Sequence, residues 1–501
     1  MTDRRLRVTL ADEAATTRLG EDLALGLKPG DAVLLEGDLG AGKTTLARAV
    51  LRALAGDAEL DVPSPTFTLV QSYPGRIPAL HVDLYRMGAE AEVEELGLEE
   101  ALSGGIILVE WPDRAPSSLP ADAIRIRLTD QDDGRLAEID APPAATARIS
   151  RSLAIRSFLD DHGYGPGRRS FLLGDASARA YETLDDGGQT MILMNAPRQP
   201  DGPPIRDGKP YSRIAHLAES VTPFVAVATL LREHGFAAPK IYAADLYQGF
   251  LLIEHLGAEG FLDASGAPVA ERYLAAARLL AHLHAVAWPA RVEVGEGIIH
   301  DIPPYDADAM RIEVELALDW YIPHALGRVA TPAERETFLA GWDRLIAIVQ
   351  NAEKSLVLRD YHSPNLIWRE DRQGDDRLGL IDFQDAMIGP AAYDVASLAQ
   401  DARVTIAPEL ERAMVAAYCD ERAAAGPFDR AALERAYAIM AAQRNSKIIG
   451  IFVRLDRRDG KPHYLKHLPR IRGYLRRALA HPELAALKDL YDRLGLLEET
   501  P

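Results

Sequence analysis

The segment Gly37-Asp38-Leu39-Gly40-Ala41-Gly42-Lys43-Thr44 constrains the fold of this chain more tightly than any other feature. Its glycines let the backbone turn sharply enough for successive N–H groups to converge on phosphate oxygens. Such a loop needs a buried strand before it and a helix after it, so that the helix N-terminus faces the same anion. Both are legible: Ala32–Leu35 is an unbroken apolar run, and Thr44–Leu54 reads as a helix. Lys43 is then placed to meet the β- and γ-phosphates of a nucleotide, and the Thr44 hydroxyl to meet magnesium. Asp38, Ala41 and Thr45 complete the set of loop residues expected to touch nucleotide. The expected cofactors are ATP and Mg2+.

Magnesium also needs a carboxylate, and two acids are candidates. Glu110 ends the apolar strand Ile106–Val109, and Asp83 lies in His-Val-Asp-Leu-Tyr-Arg. An acid at a strand end is equally often a solvated boundary residue, so position alone does not decide between them. From Leu6 to about Ile139, short apolar runs alternate with helical stretches, the pattern of an α/β layer structure. Ile124–Leu128 and Arg135–Ile139 around an Asp-Asp-Gly turn read as a terminal hairpin.

The motifs of this first part occur in a telling order. Gly-Asp-Leu-Gly-Ala-Gly-Lys-Thr-Thr is followed by Ser64-Pro-Thr-Phe67, His81-Val-Asp-Leu-Tyr-Arg86, Glu94-Glu-Leu-Gly-Leu98 and Leu108-Val-Glu-Trp-Pro112. Residues 6 to 140 thereby resemble TsaE, the ATPase subunit of the bacterial machinery that makes threonylcarbamoyladenosine in tRNA, with no departure from its motifs. The resemblance implies that Thr44, Asp83 and Glu110 serve magnesium and hydrolysis, that Ser64–Thr66 lies near the nucleotide, and that Trp111 lines the site. It also implies partner proteins, those of the threonylcarbamoyl-transferase complex. The charge balance fits that expectation. Acidic residues outnumber basic ones 75 to 56, a net charge of −19, which opposes direct, sequence-independent binding of DNA or other nucleic acid.

At 501 residues the chain is long enough for two or three domains. The turn-rich stretch Ala141–Ser150 is the expected boundary, separating an ATPase domain at 1–145 from a second domain at 151–499. That second domain opens with strands (Phe171–Leu173, Tyr181–Leu184, Met191–Met194) and becomes helical from about Val269. A small β-rich lobe of about 151–256 leading to a helical lobe of about 261–499 is the layout of an α+β kinase-like fold. The single cysteine, Cys419, excludes an internal disulfide and favours a reducing compartment. With neither a signal-peptide pattern nor an apolar run of spanning length, the expected location is the cytoplasm, away from membranes.

The second domain carries its own phosphoryl-transfer pattern. Asp360 lies five residues before Asn365, and Ile381-Asp-Phe follows with Asp382 after an apolar strand. Transfer to a hydroxyl needs an acid for the acceptor proton and metal ligands that bridge the phosphates. That logic gives Asp360 the proton and gives Asn365 and Asp382 the magnesium. The arrangement resembles the aminoglycoside phosphotransferase and choline-kinase group, although Leu358 stands where that group has a histidine. Tyr393-Asp394-Val-Ala-Ser-Leu398 resembles the group's bracing segment, and Leu280-Ala-His-Leu-His284 its helix; His282 and His284 are read as structural.

Within that group, four stretches resemble AmgK, anomeric kinases of N-acetylmuramate and N-acetylglucosamine in peptidoglycan recycling: Leu172–Glu182, Ile192–Pro197, Leu358–Trp368 and Gln443–Leu455. The strand that normally ends in a phosphate-pairing lysine reads Ile192-Leu-Met194 instead. Arg179, in the loop that also holds Ser177, is the candidate replacement, with an ordinary loop arginine as the alternative. Glu254 closes the stretch Leu251–Ile253, which resembles the hinge whose backbone meets adenine. His362, Glu313 and Arg454 are candidate sugar-binding groups, each as readily structural. Two other readings stand beside this one: a kinase of an aminoglycoside or choline-like acceptor, and an N-terminal part that is a nucleotide-gated partner-binding module.

Overall fold

A computed structural model of the chain describes residues 5–65, 68–87, 90–131, 133–172, 179–295 and 297–498. Two compact units divide it: Met1–Ala196 with Ala243–Ile253, and Pro197–Tyr242 with Glu254–Pro501.

The first unit is built on a seven-stranded mixed sheet. Its strands are β1 (Arg5–Leu10), β2 (Ala32–Glu36), β3 (Val70–Tyr73), β4 (Ala79–Asp83), β5 (Ile106–Glu110), β6 (Ile124–Gln131) and β7 (Gly134–Asp140), in the order β1-β7-β6-β2-β5-β4-β3. Central β2 runs parallel to both β5 and β6 and is buried throughout, which is why it reads as a continuous apolar run. Its alternate residues feed two cores: Val33 and Leu35 pack with helices α1 (Glu13–Gly26) and α2 (Lys43–Ala55), while Ala32 and Leu34 pack with Leu98 of α3 (Leu98–Gly104) on the other face. Helix α1 starts at Asp12, whose side chain accepts from the Ala15 N–H at 2.7 Å. It lies so close to α2 that a Cβ on Gly20 would stand 2.4 Å from the Ala49 methyl.

The stretch Ala141–Ser150, expected as the domain boundary, forms the start of α4 (Pro143–Asp161). The residues that look like a linker suit a helix start: proline is tolerated in the first turn, and the alanines that follow are strong helix formers. Helix α4 runs on into a five-stranded sheet, in which β8 (Arg168–Leu172), β9 (Ala180–Asp185) and β10 (Thr190–Asn195) adjoin strands Phe250–Glu254 and Ile241–Asp245. The expected strands are all present, and Leu173 lies outside the described residues.

Between α1, α4 and this second sheet sits a closed ionic network. Asp22 of α1 is 2% exposed. Its carboxylate accepts from Arg156 Nη2 at 2.9 Å and from Arg169 Nη1 at 2.7 Å. Arg169, on β8, also makes a bidentate pair with Glu182 of β9 at 2.7 and 3.0 Å. Arg156 Nη1 donates to the carbonyls of Gly165 and Gly167 while its Nη2 also lies 3.7 Å from Glu21, and Ser152 Oγ donates to the Asp22 carbonyl at 2.7 Å. Nearer the helix start, Arg148 pairs with Asp31 at 2.6 Å, while Arg151 reaches Asn195 and the Gln248 carbonyl.

The second unit is mainly helical, with Ala270–Ala285, Pro332–Val349, Pro408–Ala425 and the long Arg430–Asp459 as its principal helices. Two short antiparallel pairs frame its candidate catalytic residues: Lys354–Val357 with Met387–Pro390, and Leu366–Trp368 with Leu378–Leu380. Among the described residues, no helix is long and apolar enough to cross a membrane.

The network generates a stability prediction. Asp22→Ala leaves two buried guanidinium groups without their shared carboxylate, and removing one partner of a buried ion pair costs about 3–5 kcal/mol. The urea midpoint of the full chain, followed by circular dichroism, is expected to fall accordingly; a shift within error of wild type would mean the network contributes little.

Candidate functional site

The phosphate loop leaves β2 at Gly37, whose φ of 142° and lack of side chain are both required, since a Cβ there would lie 2.6 Å from the Leu128 carbonyl oxygen. Gly42, at φ 96°, caps α2 in the left-handed conformation. Lys43 is 4% exposed and donates to the Gly37 and Asp38 carbonyls at 2.8 Å each, curling the loop around its own ammonium. Burial pulls its pKa below the ordinary lysine value, against the opposing charges of Glu110, Asp83 and Asp38. The ammonium also lies 3.7 Å from the centre of the Trp111 ring, so Trp111 meets the loop through a cation–π contact. Trp111 holds that position at a left-handed φ of 59°, a conformation non-glycine residues adopt at an energetic cost.

The two candidate acids prove to be neighbours, because the parallel register of β4 and β5 sets Asp83 beside Glu110. Their partners differ. Glu110 accepts from the Thr44 hydroxyl at 2.9 Å, and its other oxygen lies 3.0 Å from His81 Nε2. Asp83 accepts from Ser64 Oγ at 3.0 Å and from the Tyr85 N–H at 2.9 Å. Thr66 lies outside the described residues. Two residues at this site are missed by sequence reasoning. His81 is fully buried behind Glu110 and sits in a motif whose aspartate is the more obvious candidate. Arg135, from β7, donates to the Gly40 carbonyl at 3.1 Å; nothing local in sequence signals that a hairpin strand reaches the loop.

In the second unit, strand pairing assembles the candidate catalytic groups. Leu366 pairs with Leu380, so Asn365 and Asp382 emerge together at one end of the pair. Asn365 Nδ2 donates to the Asp360 carbonyl at 2.9 Å and lies 3.4 Å from Asp382 Oδ2. Gln384 Nε2 donates to the other Asp382 oxygen at 2.9 Å. Both Arg359 (φ 68°) and Asp382 (φ 59°) are left-handed, so backbone strain is concentrated at the two turns that present the acids.

The strain is held from beneath. Asp394 is fully buried and accepts from the N–H groups of Leu358 (2.6 Å) and Arg359 (2.9 Å). Burial pushes its carboxyl up to about 7 even though those two N–H groups pull it down. Glu313, a candidate sugar ligand, is 0% exposed and saturated. It takes Lys447 Nζ at 2.8 Å, Gln443 Nε2 at 3.0 Å, Tyr305 and the Arg359 guanidinium. Its place is therefore under the loop, gripping Arg359. Arg454 lies over the Tyr211 ring at 5.2 Å. His362 is buried with Nε2 3.9 Å from Asp360 Oδ1, and its Nδ1 has no partner among the described residues. Although the Asp360 side chain is half-exposed, the protein around it still raises its carboxyl; the charges of His362, Lys447 and Arg359 outweigh that and hold it below its usual range, ionised at neutral pH.

Glu254 gives its N–H to the Lys240 carbonyl and accepts the Lys240 N–H on its side chain. Arg179 is half-buried just before β9, and Ser177 lies outside the described residues. β10 holds no lysine, and helix Thr222–Glu233 stacks Phe224 on Phe383 at 4.8 Å. His282 and His284 are engaged with Asp375, Glu421 and Tyr418.

Both sites offer hard oxygen donors. Among the described residues no three His, Cys, Asp or Glu side chains gather as a dedicated metal cage. One or two carboxylates with a hydroxyl or amide oxygen is the set magnesium takes when phosphate oxygens and water complete its shell, so the residues fit ATP with Mg2+.

Fold and sites together define an ATP-using enzyme, a nucleotide-binding α/β domain followed by a phosphotransferase with a helical lobe. Residues 10–137 match the threonylcarbamoyl adenosine biosynthesis protein TsaE family, and residues 169–433 match the phosphotransferase enzyme family. The N-acetylmuramate/N-acetylglucosamine kinase of Caulobacter vibrioides is 36% identical over 363 residues, covering 70% of this chain and 98% of that protein. The namesake kinase of Pseudomonas aeruginosa is 36% identical over 324 residues, 63% of this chain and 85% of that protein. A TsaE of Rickettsia conorii is 41% identical over 128 residues, 25% of this chain and 73% of that protein. The chain belongs to the phosphotransferase enzyme family, with a TsaE-family domain preceding it.

The Glu313 network gives a pH-dependent prediction. Cationic Lys447 and Arg359 overcome burial and lower its carboxyl to about 2. Since the unfolded value is about 4, the stabilisation is complete above that pH and is lost as pH falls through the folded value. Glu313→Gln is therefore expected to be destabilised at neutral pH, with the gap to wild type in thermal or urea unfolding closing between about pH 4 and pH 2. A gap that stays constant with pH would contradict this.

Proposed function

We propose that the chain is bifunctional. Its residues 1–145 form an ATPase that supports threonylcarbamoyladenosine modification of tRNA within a complex of partner proteins. Residues 151–499 form an ATP-dependent kinase of N-acetylmuramate and N-acetylglucosamine, acting at the anomeric hydroxyl, with a small lobe of about 151–256 and a large lobe of about 261–499. The observation that carries the kinase reading is the convergence of Asp360, Asn365 and Asp382 in a domain related over nearly the whole length of amino-sugar kinases.

In this reading Asp360, ionised and half-exposed, accepts the proton of the acceptor hydroxyl as it attacks phosphorus. Asn365 and Asp382 would hold magnesium, which when bound draws charge from the transferring phosphoryl group. Asn365 also fixes the Asp360 carbonyl, so one side chain couples the base to the metal-side acid. In the ATPase, Thr44 and Glu110 would hold magnesium, with His81 orienting Glu110 from behind. Asp83 orders the Ser64 turn beside them. Lys43 exchanges its two loop carbonyls for phosphate oxygens, while Gly37 to Thr45 and Trp111 surround the nucleotide.

Single substitutions separate the activities. Asp360→Asn is expected to lower sugar phosphorylation by roughly 10²–10⁴-fold, the usual contribution of a positioned general base, and to spare ATP hydrolysis by the N-terminal site. Lys43→Ala is expected to do the reverse. The kinase product is expected to be acid-labile and alkali-stable, as an anomeric phosphate is. Turnover of choline or an aminoglycoside in place of the amino sugars would overturn the acceptor assignment.

A further inference from the structure

Beside the turn that carries Asp382, the second unit holds a cavity of about 530 Å³, within the range of small-molecule sites. Arg198, Lys209, Ser212, Arg213, His216 and Gln384 are among its lining residues. Its wall is anchored to the same turn, because the Ala218 N–H donates to Asp385 Oδ1 at 2.6 Å.

Two polar atoms in this wall have no partner among the described residues. Gln384 is 4% exposed; its Nε2 is committed to Asp382, while its Oε1 is buried and accepts nothing from them. Ser212 Oγ is likewise buried and unpaired. Buried polar atoms left unsatisfied carry a desolvation penalty that a bound hydroxyl or amide would relieve.

Charge in the lining favours an anion. The two lining acids are both paired, Glu219 with Arg198 at 3.7 Å and Asp301 with Arg291 at 2.6 Å, and Arg213 is held by Asp201 at 2.6 Å, which leaves Lys209 as the lining charge to be met. Lining His300 is half-buried, and burial, ahead of the opposing charge of Asp301, keeps its imidazole below the ordinary histidine pKa. Lys209 is exposed at the rim and makes no ion pair among the described residues.

We propose that this cavity is the acceptor subsite of the kinase, in which Lys209 meets a carboxylate of the sugar while Gln384 Oε1 and Ser212 Oγ take its hydroxyl or amide groups. The inference rests on the amino-sugar reading above and adds a discrimination to it: N-acetylmuramate carries a carboxylate that N-acetylglucosamine lacks. Gln384 then links acceptor recognition to Asp382, since one amide touches both.

The test uses the full chain and steady-state kinetics with both sugars and with ATP. Lys209 is exposed, so Lys209→Ala is not expected to disturb folding. A lost charge-assisted contact at an exposed position is expected to raise KM for N-acetylmuramate about tenfold, leaving KM for N-acetylglucosamine and for ATP unchanged. Lys209→Glu is expected to raise it further and Lys209→Arg to restore it. Ser212→Ala is expected to raise KM for both sugars. A rise in KM for ATP with either sugar would overturn the acceptor assignment in favour of a phosphate subsite. Unchanged constants in all four variants, with wild type active on both sugars, would overturn the subsite itself. Wild type inactive on both would remove the amino-sugar reading, and this inference with it.

Discussion

A single carboxylate, that of Asp22, sits where two guanidinium groups from different elements meet out of water. Charges taken from solvent are tolerable only when each is paired and its remaining hydrogen-bonding positions are filled. Asp22 meets that condition only because α1, α4 and β8 are all in place, with Glu182 of β9 completing Arg169. The P-loop helix α2 packs directly on α1, and β8 and β9 belong to the five-stranded sheet that follows α4. Displacing α4 or β8 from α1 would therefore strand a buried charge.

The Asp360 loop of the second unit follows the same logic on a smaller scale. Left-handed Arg359 and Asp382 are costly, and each is over-determined by what surrounds it. Asp394 takes two consecutive N–H groups, and Glu313 holds the Arg359 side chain at the other end. Asp360, next to those anchors, has little freedom to move away from Asn365. Electrostatics and backbone geometry thus act together: the cations that settle Glu313 also keep Asp360 ionised.

Much of this is legible in the sequence, for identifiable reasons. The phosphate loop can be read because its glycines are needed for backbone conformation, which spacing alone reveals. The same holds for the Asp360–Asn365 spacing and the strand before Asp382. What escapes is everything set by tertiary contact. The alanines and prolines of Ala141–Ser150 look alike in a linker and in a helix start, and only the arginines of α4, spaced to meet Asp31, Asp22 and Asn195, distinguish them. Glu313 looks like a ligand because a polar residue of that kind is usually exposed; its pairing with Lys447, Arg359 and Gln443, beside nearby Tyr305, joins residues far apart in the chain. Arg135 reaches the phosphate loop across a hairpin, and no pattern within its own strand signals it.

Helix α4 has a consequence for synthesis. Chains emerge N-terminus first, and domains generally fold as units as they appear. The first sheet, α1 and α2 are synthesised before β8, so Arg156 and Arg169 leave the ribosome after the carboxylate they pair with. The small strands that follow α4, which would be marginal by themselves, are thus tied through Arg169 and Glu182 to a part of the protein made before them.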